Sequence, residues 1–170
     1  MRAKLRHCLP LIAALGLAAC VPGGATAPSG QAATSGDSGV NPGAEMADGI
    51  SAMLIFTRVC LDTQPHFKKA PAVLADLPFR QRPETGTYYH QNLDLSVKLV
   101  GGRCSMVFTS ADDPTQLGIL MSAASGNGQM SIDPNTGAAS TVTKNGARLE
   151  FEPIGRSKGR NWYRAVLIPH

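Results

Sequence analysis

Hydrophobic positions along this chain switch between a helical and a strand period. Between Ala44 and Asp62, Met46, Ile50, Met53, Phe56 and Cys60 recur every three or four residues, flanked by Ala47, Leu54 and Leu61. Asp48, Ser51, Arg58 and Asp62 fall on the other side, which is the signature of an amphipathic helix. Gly49 costs such a helix about 1 kcal/mol relative to alanine without ending it. Prolines at 65, 71, 78 and 83 then break the pattern. Pro65 and Pro71 suit the first turn of short helices, where a missing amide hydrogen costs nothing. One or two such helices are expected before Leu77, with irregular chain after it and Phe67, Val73, Leu74, Leu77 and Phe79 feeding the core.

From Leu93 the period drops to two. Leu93, Leu95, Val97 and Leu99 alternate with Asp94, Ser96 and Lys98, and Cys104, Met106 and Phe108 alternate with Arg103, Ser105 and Thr109. Gly101-Gly102 between them predicts a hairpin. "DDPTQLGILMSAASG" returns to the helical period: Asp113 caps, Pro114 opens, Leu117, Leu120, Met121 and Ala124 form the stripe, and Gly126 stops it. A brief strand at Met130–Ile132 and a "DPNTG" turn follow. Asn145-Gly146 marks a second, two-residue hairpin that sets Val142 opposite Leu149 and points Leu149 and Phe151 inward. Asn161–Pro169 reads as a buried last strand. The pattern is α+β: a small antiparallel sheet of about five strands, with the N-terminal helix and short helices packed on one face. Residues 44–170 form the single globular domain.

The beginning of the chain has another character. Arg2, Lys4 and Arg6 precede an apolar run from Cys8 to Ala19, too short for a membrane span of about 20 residues and arranged as a secretory signal. Leu17-Ala18-Ala19-Cys20 resembles the lipobox of bacterial lipoproteins at all four positions. The resemblance implies removal of residues 1–19, acylation of Cys20 and attachment to a lipid bilayer through it. Val21, where an aspartate would retain the protein, implies the outer membrane, facing the periplasm. The globular part looks similar to the small lipoproteins of Gram-negative envelopes. Residues 20–43 are rich in Gly, Ser, Ala and Pro and poor in large apolar side chains, so they read as a flexible tether.

Export changes how charge and cysteine are counted. The formal charge is +4, but three of the 16 basic residues lie in the signal, which leaves 13 against 12 acidic and no footprint for nucleic acid. Cys8 leaves with the signal and Cys20 takes the lipid. Cys60 and Cys104, both on apolar faces, then pair most economically as one disulfide in an oxidising compartment. The rival, a reactive or metal-binding thiol pair, lacks the Cys-x-x-Cys spacing.

Catalytic patterns are sparse. There is no Gly-x-Ser-x-Gly, His-Glu-x-x-His, P-loop or Cys-x-x-Cys sequence, so no cofactor and no metal is expected. His66 and His90 are the candidates for a His-carboxylate hydrolase, which is the alternative to a non-catalytic role in binding or envelope assembly. Two segments are candidate binding surfaces. Tyr88, Tyr89 and His90 put polar-tipped rings together. Arg156, Lys158 and Arg160 lead into Trp162 without an acidic neighbour, suited to lipopolysaccharide, peptidoglycan or an acidic protein.

Overall fold

The computed structural model describes residues 44–126 and 129–170. The expected signal sequence, the lipidation site Cys20 and the 20–43 tether lie outside the described residues. The α+β class holds, but the sheet has eight strands rather than about five. In chain order the elements are α1 (Gly49–Phe56), a π-helical turn (Thr57–Leu61), α2 (Ala70–Ala75), β1 (Phe79–Arg82), β2 (Thr87–His90), β3 (Leu95–Val100), β4 (Arg103–Ser110), α3 (Pro114–Ser125), β5 (Met130–Ile132), β6 (Ala139–Val142), β7 (Arg148–Ser157) and β8 (Arg160–Ile168). The strand order is β1-β2-β3-β4-β8-β7-β6-β5. All neighbours are antiparallel.

One sheet face carries the core. Leu95, Val97, Cys104, Met106, Phe108, Leu149, Phe151, Tyr163, Ala165 and Leu167 are all buried there. The Tyr163 ring sits between Phe108 and Phe151 at centroid distances of 5.4 and 5.6 Å, and its hydroxyl donates to the Asp112 carbonyl at 2.6 Å. Burial, foremost, raises the Tyr163 pKa above that of a free phenol. The opposite face is polar and, on β7 and β8, paired by charge, Arg164 with Glu152 and Arg148 with Glu150 at 2.9 Å.

The two strands that the pattern missed are β1 and β2, joined by a turn through Gly86. β1 reads Phe-Arg-Gln-Arg, with only Phe79 buried, because an edge strand needs no apolar alternation to pair. Of the two prolines offered as helix starters, Pro71 opens α2 and Pro65 lies in a turn. Phe67, Leu74 and Phe79 are buried as expected.

The first helix is shorter and differently turned than its periodicity implies. Asp48 is its N-cap, accepting from the Ser51 amide at 2.8 Å and the Ser51 hydroxyl at 2.7 Å, and these bonds hold the Asp48 carboxyl below its usual pKa. The buried side is Gly49, Ala52 and Phe56, while Met46, Ile50 and Leu54 are exposed. Close packing chose this face: a Cβ on Gly49 would stand 2.4 Å from Leu117 Cδ2 of α3. The π-helical turn adds a residue at the C-terminal end and buries both Val59 and Cys60. Cys60 is disulfide-bonded to Cys104 of β4, Cα to Cα 5.7 Å, which staples the helical layer to the sheet centre.

Both expected hairpins exist, one with a corrected register. Gly101 and Gly102, at φ 59° and 70°, form the two-residue turn that closes Val100 onto Arg103. At Asn145-Gly146 the partner of Leu149 is Thr141, and Val142 faces Arg148 instead of Leu149. The loop has three residues: the Thr143 hydroxyl accepts from the Ala147 amide, and Gly146 takes φ 82°, the left-handed position of a bulged hairpin. Side-chain alternation survives, so Leu149 and Phe151 still point inward while Val142 is exposed. α3 is capped by Asp113, which accepts from Thr115 and Gln116, and ends at Gly126 with φ 75°.

Candidate functional site

The basic cluster is the tip of the β7–β8 hairpin. Ser157 pairs with Arg160, so Lys158 and Gly159 alone make the turn, at φ 51° and 77°. Such a turn requires left-handed conformations at both positions, for which Asn or Gly is the comfortable residue and Lys is not. Arg156 and Lys158 are exposed and enter no ion pair among the described residues. Arg160 is used otherwise. Its Nη1 donates at 3.1 Å both to the Ala44 carbonyl and to Asp94 Oδ2, and the Thr109 hydroxyl donates to that same oxygen at 2.9 Å. Arg160 therefore clamps the segment from Ala44 to the sheet, helped by bonds from the Glu45 amide to the Asn92 carbonyl and the Ala47 amide to the Thr109 carbonyl.

Beside the clamp, the ladder runs Thr109 to Trp162 to Gly155 across the outer face. The β7 strand bulges between Pro153 and Gly155, and Ile154, Gly155, Arg156, Ser157 and Trp162 line a groove of 350 Å³. Two buried polar atoms here have no hydrogen-bond partner among the described residues, Asp94 Oδ1 and the Trp162 indole Nε1. The hairpin thus offers an aromatic wall, a half-open groove and two unpaired cations.

The Tyr88-Tyr89-His90 segment is dispersed by its strand. On β2 the side chains alternate: Tyr88, opposite Val97, packs against the core, and Tyr89, opposite Ser96, lies on the outer face with Arg82 Cζ 4.5 Å above its ring. His90 is buried, edge-on to Phe79 at 5.0 Å. Its Nδ1 accepts from the amides of Asn92 and Leu93 at 3.2 and 3.0 Å. That lone pair is committed to the backbone, and burial pushes the imidazole pKa below its ordinary value. His90 is a strut of the β2–β3 connection.

Sequence spacing gave no hint that His66 and His170 share a cleft. They line 420 Å³ with Pro65, Gly101, Gly102, Arg103, Ile168 and Pro169, at the end of the sheet away from the basic hairpin. Three segments distant in the chain converge there, a proximity only the strand order reveals. The lining side chains hold two imidazoles and a guanidinium and no carboxylate. Comparison with family models, with curated proteins and with solved structures returned no match to this chain.

Proposed function

We propose that this chain is a lipid-anchored protein of a bacterial envelope, joined to the outer membrane through Cys20 and displaying residues 44–170 as a non-catalytic binding module toward the periplasm. The lipobox-like Leu17-Ala18-Ala19-Cys20 supports the anchor, and residues 20–43 serve as its tether. The binding surface is the β7–β8 hairpin, and its partner is an anionic component of the envelope: lipopolysaccharide, peptidoglycan or an acidic protein. One observation carries the choice of surface. Arg156 at the end of β7 and Lys158 in the tight turn stand exposed and enter no ion pair among the described residues, with Lys158 at a left-handed position where it costs stability.

Stability and binding should therefore respond in opposite directions. Lys158→Asn relieves the turn and is expected to stabilise the fold by about 0.5–1 kcal/mol. Paired with Arg156→Ala, it should lower retention on isolated sacculi, on lipopolysaccharide or on crosslinked envelope proteins by tenfold or more. Urea unfolding and co-sedimentation read the two effects. Retention equal to the native chain in all three would remove the hairpin from consideration.

A further inference from the structure

α1 is a surface helix without a charged outer side. From Gly49 to Thr57 the chain reads GISAMLIFT, and the nearest charges are Asp48, consumed as the cap, and Arg58 beyond the last turn. The small residues Gly49 and Ala52 face inward with Phe56, which turns the large ones out: Ile50 is 60% exposed and Leu54 59%, and Met46, four residues before Ile50, is 39% exposed. On the same side of the sheet, α3 exposes Ile119 at 48%. Single exposed apolar residues are ordinary, but Ile50 and Leu54 at i and i+4 on a helix face that otherwise would be polar, with Met46 exposed on the extended chain just ahead of the Asp48 cap, call for a covering surface. The face cannot turn inward, because Ala47 bonds to Thr109 and the Gly49 amide to Asp112 Oδ2 at 2.7 Å.

We propose that this face rests on the bilayer to which the chain is anchored, with α1 lying along the boundary between headgroups and acyl chains. The proposal deepens the lipid-anchor reading and rests on it. What selects a bilayer as the occupant is the length of chain outside the described structure and the place where it ends. Cys20 and Ala44 are 24 positions apart, and Met46 is two residues further on. A Gly- and Ser-rich segment of that length spans on average about 25–30 Å. The acylated membrane is thus within reach at all times, and docking onto it is an intramolecular step, whereas a second copy or a partner must arrive by diffusion. Arg58, exposed in the π-helical turn just past α1, is long enough to reach phosphates while its stem stays apolar. Glu45 and Asp48 flank the other end. Attraction to anionic lipid therefore contributes little, and insertion of apolar side chains carries the contact.

The test uses the full chain extracted from the membranes of producing cells and reconstituted into vesicles of brominated phosphatidylcholine. Trp162 is the only tryptophan, so Leu54→Trp in a Trp162→Phe background reports on α1 alone, and Val142→Trp in the same background, exposed on β6, is the reference. The proposal expects emission from position 54 to shift to the blue and to be quenched at least threefold more than from position 142. Adding anionic lipid or high salt should leave that ratio unchanged. If the Trp162→Phe background does not fold, a spin label on Ile50→Cys in the otherwise native chain reads the same contact by its accessibility to oxygen. A chain that floats with the vesicles yet shows equal quenching at both positions overturns the docking and leaves the anchor standing. A blue shift without quenching that fades on dilution assigns the face to a second copy and also overturns it. A chain that does not float overturns anchor and docking together.

Discussion

His90 shows how a single side chain can look catalytic in a sequence and be structural in a fold. Its Nδ1 takes two backbone amides, so the neutral imidazole is the form the fold requires, and burial lowers its pKa from the ordinary 6.5. A lowered folded-state pKa means the unfolded chain binds the proton more readily. The contribution of His90 to stability is then complete above pH 6.5 and is lost as the pH falls through that value toward the folded pKa. His90→Asn, whose Oδ1 can accept the same two amides, should flatten the decline in urea midpoint between pH 7 and pH 5.5, a window above most carboxylate titrations. An unchanged slope would show that His90 is not the group responsible. The sequence put His90 next to two tyrosines and so suggested a cluster. Strand alternation sends adjacent residues to opposite faces, and the strand itself, on an edge hairpin preceded by Pro78 and turned at Pro83, has too little apolar patterning to be recognised.

Among the elements, α1 departs furthest from its sequence pattern. Periodicity weights large apolar residues, so it chose Met46, Ile50, Met53, Phe56 and Cys60 for the interior; Phe56 and Cys60 are buried there and Met53 packs against the core, but close packing against α3 selected Gly49 and Ala52 and left Met46 and Ile50 outside. Gly49→Ala tests this directly. Helix propensity alone would favour alanine, by at most the ~1 kcal/mol that holds for a helix interior, since Gly49 is the first helical residue. The new Cβ would lie 2.4 Å from Leu117 Cδ2 and 2.9 Å from Asp112 Oδ2, and overpacking of that kind costs about 1–3 kcal/mol, so net destabilisation is expected in urea titration. A stabilised variant would contradict the close approach. Where a pattern is set by local chemistry it was legible: Asp113 and Gly126 bound α3 as expected, and Gly101-Gly102 makes its turn. The Asn145-Gly146 pair marks its turn but not the loop length, which is three residues and not two, because both kinds of hairpin share the same Asn-Gly signal.

For the molecule as a whole, the disulfide is legible in the sequence, since Cys60 and Cys104 both fall on apolar faces, and they are bonded. The bridge closes a loop 44 residues long, worth about 4 kcal/mol in the chain-entropy model, so Cys60→Ser with Cys104→Ser should lower unfolding stability by roughly that amount. A loss under about 1 kcal/mol would mean that packing between α1 and β4 suffices alone. Eight strands instead of about five, and the meeting of His66 with His170, were not legible, because both depend on which distant segments pair. The anchor is the part of the proposed function on which the rest depends, and intact mass tests it most directly. The chain should be taken from the membranes of producing cells and weighed before and after reduction and alkylation. The expected mass lacks residues 1–19, carries acyl chains on Cys20, and gains two alkyl groups only after reduction. A mass that retains residues 1–19, or that shows Cys20 as a free thiol, would contradict a lipid-anchored envelope protein.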